Sequence, residues 1–215
     1  MFSELFGIPS TEDKPAEVTY IDAPSSSSKP NKFPKKELKK EPYLPISVFV
    51  ERELPIEVKN QMYYIIDKLL NLQYTVRLNG DDVEFYDRIK SLSKEHLEVY
   101  IPWKKFNNIE TKFYYNHDAL KHIAQARFAG WDKIPDSVKS IVTRNFRMIL
   151  GDKNDSCTNC VLLWTKDGAT RPAEINKDTG SLSYIITFAH KHGIPVINLK
   201  KEQLLQAFLA AYGIT

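Results

Sequence analysis

The chain has 215 residues, of which 42% are hydrophobic and 27% charged, enough for one globular domain with a proper core and an appendage. A net charge of +3 is too small to imply a nucleic-acid partner by itself, and no apolar run approaches the roughly 20 residues of a membrane span. The first residues also lack the basic-then-apolar order of a signal peptide, so the expectation is a cytoplasmic protein without membrane association.

Residues 1–45 read as a tail. Residues 1–28 carry one lysine against five acids, whereas 29–45 carry six lysines against two glutamates. Ser25 to Ser28 and the prolines at 9, 15, 24, 30, 34 and 42 complete a composition that cannot bury enough surface to offset the entropy of ordering, so 10–42 is expected to be a disordered linker. The lysines at 29–40 could contact the phosphates of a nucleic acid, but with Phe33 the one aromatic residue among them a solvated linker is preferred. At the tip, Phe2, Leu5, Phe6 and Ile8 form a small apolar cluster, the pattern of a short peptide that docks on a host or phage protein. It vaguely resembles the Leu-Phe peptides that bind sliding clamps, without their upstream glutamine.

From position 46 to 215 strand-like and helix-like runs alternate. Strands are predicted at 46–50, 74–78, 97–101, 160–164 and 195–199, the fourth unbroken in its apolarity as a strand covered on both faces should be. Helices are predicted after Pro55, where Val58, Met62, Ile65, Ile66 and Leu69 keep helical spacing, and at 82–93, 117–128, 136–150, 180–192 and 201–212. Asp136 is expected to cap the fourth and Gly151 to stop it. The pattern predicts an α/β fold, a doubly wound, Rossmann-like parallel sheet of about five strands. In such sheets ligands sit outside the carboxyl ends of the strands.

Cys157 and Cys160 form a lone CxxC with no second pair at metal spacing, and both read as ordinary thiols. Trp103, Trp131 and Trp164 are expected in the core. The histidines at 117, 122, 190 and 192 have no partner at a catalytic spacing, and neither a metal nor a cofactor is expected.

The ordered signposts are Arg52 with Pro55 after strand one, TVR at 75–77 and YIPWKKFN at 100–107. They continue with Trp131, RNFRMILG at 144–151, VLLWTKDGA at 161–169, TGSLS at 179–183 and HGIPVINL at 192–199. Together they resemble the phage and prophage SLOG-like proteins, of the superfamily that includes the DNA-processing protein DprA and the cytokinin-activating LOG enzymes. The resemblance implies a nucleotide-binding site built from glycine-rich turns after strands one, two and four, where glycines let the backbone approach phosphate and a helix N-terminus supplies N–H donors. On it, the expected ligand-binding residues are Arg52, Arg77, Gly80, Arg144, Asn145, Thr165, Thr179, Gly180, Ser181 and Ser183.

Each of those turns departs from the family pattern. The first puts Glu51 where a phosphate would come close, the second keeps one glycine, Gly80, beside Asp81 and Asp82, and the third keeps only Gly180. The position of the LOG catalytic glutamate falls on Thr187, which cannot act as a general acid or base. Arg52 and Arg77 can also be read as ion pairs at strand ends, and Arg144 with Asn145 as ties from a helix to a neighbouring loop.

Three functions follow, in order of preference. The first is a phage accessory protein in the host cytoplasm that binds a nucleotide or nucleotide-derived small molecule without turning it over. The second is a vestigial Rossmann scaffold that docks on a host or phage assembly through its tail. The third is a nucleotide-processing enzyme that uses Asp81 and Asp82 through a metal.

Overall fold

The computed structural model describes residues 44–92, 95–114, 121–125, 131–151 and 156–214. The tail expected at 1–45, with its docking cluster at Phe2, Leu5, Phe6 and Ile8, lies outside them but for its last two residues, as does most of the helix expected at 117–128.

Five strands form one sheet: β1 (Ile46–Val48), β2 (Val76–Asn79), β3 (Leu97–Tyr100), β4 (Cys160–Leu163) and β5 (Val196–Asn198). Their order is β3-β2-β1-β4-β5, and every neighbouring pair is parallel. The expected α/β sheet is therefore present. The strand order reverses beside β1, which pairs with β2 on one side and with β4 on the other, Ile46 standing opposite both Val76 and Cys160.

Strand periodicity of two builds two cores from one sheet. Ile46, Val48, Val76, Leu78, Cys160 and Leu162 face a layer made by α1 (Ile56–Asn71), α2 (Val83–Ile89) and α6 (Glu202–Ala211). Phe49, Tyr100, Val161 and Leu163 face the opposite way, onto α4 (Asp136–Leu150) and α5 (Ser183–Lys191). A short helix, α3 (Lys121–Gln125), precedes α4. No helix among the described residues is long and apolar enough to cross a membrane.

Helix ends follow local chemistry, with one correction. Gly151, at φ 88°, stops α4 as expected, and its N–H returns to the Arg147 carbonyl. Asp136 does not cap that helix: Pro135 holds the boundary and Asp136 is the first helical residue, its carboxylate meeting Lys139 Nζ at 3.1 Å. A proline with its fixed φ already sets the turn, which leaves the aspartate free for the i,i+3 ion pair. Asp82 is a true cap of α2, its Oδ1 accepting the Phe85 N–H at 3.0 Å.

Only one tryptophan is in the core. Trp131 is buried, Trp164 is half-buried, and Trp103 is 42% exposed, edge-on to Phe106. Trp103 follows Pro102 in a loop whose backbone turns left-handed at Lys105, Asn107 and Asn108, and this carries its ring off the sheet.

The amino edge of the sheet is tied by Thr158 and Asn159. The Pro45 carbonyl accepts both the Thr158 hydroxyl and the Asn159 N–H, each at 2.7 Å, and the Asn159 side chain donates to the Tyr212 hydroxyl beyond α6. Burial raises the Cys160 thiol to about 11, against a weaker opposing hydrogen bond with Tyr212, so it stays protonated and unreactive. Cys157 is exposed and both thiols are free.

Candidate functional site

Beyond the carboxyl ends of β1 and β2 the chain leaves a cavity of about 180 Å³ beside the reversal of strand order. Glu51 and Asp81, two residues beyond Phe49 and Asn79, supply its acidic wall. Val138, Ile141, Val142 and Asn145 reach it from α4, and Ser181, Leu182 and Tyr184 from the start of α5.

Asp81 is held by a buried cation. Arg144, fully buried, donates from Nη1 to Asp81 Oδ1 at 3.0 Å and from Nη2 to Oδ2 at 2.8 Å, with a further bond from Nη1 to the Tyr100 carbonyl at 3.3 Å. Burial pushes the Asp81 carboxyl up, but the Arg144 charge, hydrogen bonds from Arg144 and Asn79, and the Arg52 charge together outweigh it and leave it below its ordinary range. The fork geometry gives a bidentate pair, the strongest form of such a contact.

Glu51 is the opposite case. Burial is the main influence and raises its pKa; the Ser181 hydroxyl bond opposes this, and the charges of Asp81 and Glu53 add to the rise. Among the described residues its one hydrogen bond comes from Ser181, in the turn that opens α5. The protein thus places its own carboxylate where a bound anion would meet that turn.

Of the ten expected ligand-binding residues, the cavity wall gathers Asn145 and Ser181. Gly180, next to Ser181, has φ 67°, and a Cβ there would meet nothing within 4 Å, so the glycine serves the left-handed turn and leaves open space above it. Arg144 stands behind Asp81 rather than on the wall. Arg52 lies beside the cavity, exposed, its Nε donating to the Asp81 carbonyl at 2.8 Å and its Nη2 to Asn107 Oδ1 at 3.3 Å.

The other expected ligand residues are spent on the fold. Arg77 is buried and bonds Glu98 Oε2, Ser156 and the Met148 carbonyl, where it satisfies an end of α4 together with the Ser47 hydroxyl. Gly80 is a glycine because a Cβ would lie 2.8 Å from both Ile101 and Ile109, a packing need and not a phosphate seat. Ser183 is buried in the first turn of α5, and its carbonyl accepts the Thr187 hydroxyl at 3.0 Å; Thr187 itself is exposed.

Thr165 and Thr179 both donate to Asp167, which the sequence reading passed over. Thr165 Oγ1 donates to Oδ1 at 2.6 Å, the Ala169 N–H joins it at 3.1 Å, and Thr179 donates to Oδ2. Burial raises Asp167, and these hydrogen bonds more than reverse it, holding it below its ordinary range. The visible signal was Thr-x-Asp-Gly, an aspartate turn closed by Gly168 at φ 78°. Also missed were Asn79 and Tyr184, whose hydroxyl accepts from Asn145 Nδ2.

Asp81 and Asp82 diverge. One pairs with Arg144, and the other caps α2 and pairs with Lys59 Nζ at 2.5 Å. Among the described residues no group of three or more His, Cys, Asp or Glu side chains is placed to hold a metal. No family model, curated protein or solved structure matches this chain.

Proposed function

We propose that this chain binds a nucleotide-derived small molecule through a modified SLOG-like site and does not turn it over, as a phage accessory protein in the host cytoplasm. The observation that carries the reading is the cavity at the carboxyl edge beside the strand-order reversal, the position at which doubly wound sheets take ligands. Its volume of about 180 Å³ is below the roughly 300–1,000 Å³ of sites that enclose whole drug-sized ligands. It suits one ring system, with the rest of the molecule lying outward past Gly180.

The wall disfavours phosphate. Within a few ångströms, Glu51 when ionised opposes each anionic charge by about 1–4 kcal/mol at intermediate dielectric, and the Arg144 charge is already matched by Asp81. An uncharged nucleoside should therefore bind better than a triphosphate. Calorimetric titration tests this: expected are micromolar or weaker nucleoside binding and no detectable ATP binding, and submicromolar ATP binding without added metal would overturn it.

A second reading draws on the internal use of Arg77, Thr165 and Thr179, three expected ligand residues that hold only the protein itself. On that reading the site is vestigial and the tail docks on a host or phage assembly. Changing Leu5 and Phe6 to alanine would then abolish partner recovery from infected cells, and equal recovery with wild type would exclude it.

A further inference from the structure

Hydrogen-bonding capacity in the cavity includes two acceptors that the described residues leave unused. Asn79 is saturated, its Oδ1 accepting the Val50 N–H at 2.7 Å while Nδ2 donates to the Val50 carbonyl at 2.9 Å and Asp81 Oδ2 at 2.8 Å. Both Asp81 oxygens accept from Arg144, and the Ser181 hydroxyl is committed to Glu51 Oε1. Two wall acceptors remain. Glu51 Oε2 has no hydrogen bond among the described residues. Asn145, 5% exposed, turns Nδ2 to the Tyr184 hydroxyl and leaves Oδ1 buried with no partner among the described residues.

Both leftovers are acceptors. A buried acceptor without a donor costs about 1–3 kcal/mol, so a ligand that brings N–H groups recovers that cost while one that brings ring nitrogens adds to it. Apart from the Tyr184 ring and its hydroxyl, the remaining wall, Phe49, Val138, Ile141, Val142 and Leu182, is apolar and offers contact to the face of a flat ring.

We infer that the cavity selects a planar heterocycle whose edge carries adjacent N–H donors, the guanine class, over one that presents an acceptor there, the adenine class, with Glu51 and Asn145 Oδ1 as the reading groups. A guanine ring offers a ring N–H and an exocyclic amine side by side, two donors for Glu51 Oε2 and Asn145 Oδ1. Adenine turns a ring-nitrogen lone pair toward the same oxygens. The inference rests on the nucleoside reading above and names its base.

The test is calorimetry on the full chain with guanosine, inosine and adenosine, repeated with Glu51→Gln, a neutral isostere. Guanosine should bind tightest, inosine, which lacks the amine, about tenfold weaker, and adenosine at least about a hundredfold weaker, each charge-assisted bond being worth roughly a factor of ten or more. Glu51→Gln should cut guanosine affinity at least about tenfold and narrow its lead over adenosine. Should that variant fail to fold, the ligand series on wild type still decides. Adenosine binding as tightly as guanosine overturns the inference but leaves a nucleoside site standing. Guanosine affinity unchanged in a folded Glu51→Gln protein overturns the role of Glu51. No nucleoside binding up to millimolar concentration overturns both the inference and the reading beneath it.

Discussion

Asp167 and Glu51 follow adjacent strands at the carboxyl edge, and each receives a hydroxyl from the same short turn, Thr179 serving one and Ser181 the other. Asp167 also takes the Thr165 hydroxyl and the Ala169 N–H, and its pKa falls; Glu51 takes nothing more from the described residues, and its pKa rises. Burial and donor count together decide the sign, with the charges of Asp81 and Glu53 adding to the rise at Glu51. A carboxylate with three donors is a fixed anion around which a loop winds, whereas one with a single donor in a desolvated site keeps capacity for something outside the chain.

The sharpest way to break the comparison is to remove a satisfied carboxylate whose partner cannot leave. Asp81→Ala strands the fully buried Arg144 and should cost about 3–5 kcal/mol in denaturant unfolding. A loss below about 1 kcal/mol would mean that Arg144 finds another partner and that the pair does not anchor β2 to α4. Asp167→Ala should come next, at roughly 2–3 kcal/mol, because it removes the acceptor of the buried Thr165 and Thr179 O–H groups and of the Ala169 N–H at once. Unchanged stability there would show the loop to be held from elsewhere.

Glu51→Gln should have the smallest effect and the opposite sign. A carboxyl whose pKa is raised on folding binds its proton more tightly in the native state, so stability declines as pH climbs from the ordinary glutamate range through the raised value. Asp81 and Asp167, lowered on folding, contribute stability that is complete above the ordinary aspartate range and is lost as pH falls through their depressed values. The glutamine variant should therefore be the more stable above the ordinary glutamate range and lose the decline that the wild type shows as pH rises through the raised value, while acid unfolding is unchanged. Melting temperatures across pH 4–8 measure both, and a destabilised variant at pH 7 would assign Glu51 to the scaffold, as another Asp167.

The frame was legible because its signals are periodic and local. The unbroken apolar run from Cys160 to Trp164, the stripe from Val58 to Leu69 and the stop at Gly151 each depend on a few neighbouring residues. The site was less so, because an arginine or threonine suited to a phosphate is equally suited to the protein's own carbonyls and carboxylates. Arg77 meets Ser156 across 79 positions and Arg144 meets Asp81 across 63, pairings that no local pattern encodes. Glu51 was visible as an obstacle to phosphate, but its single donor and the unpartnered oxygen of Asn145 become apparent only once α4 and α5 are laid over the sheet.

Asn159 reaches both the carbonyl ahead of the first strand and the hydroxyl just past the last helix, so Pro45 and Tyr212 come close together below the amino edge. A peptide or fusion partner attached at either of these points therefore departs from the pole opposite the cavity. The same closeness makes the chain a natural subject for circular permutation, with the two ends joined by a short linker and new ends opened in an exposed turn such as that at Lys177 and Asp178. The permuted molecule would carry its attachment points at the carboxyl edge, on the side of the cavity.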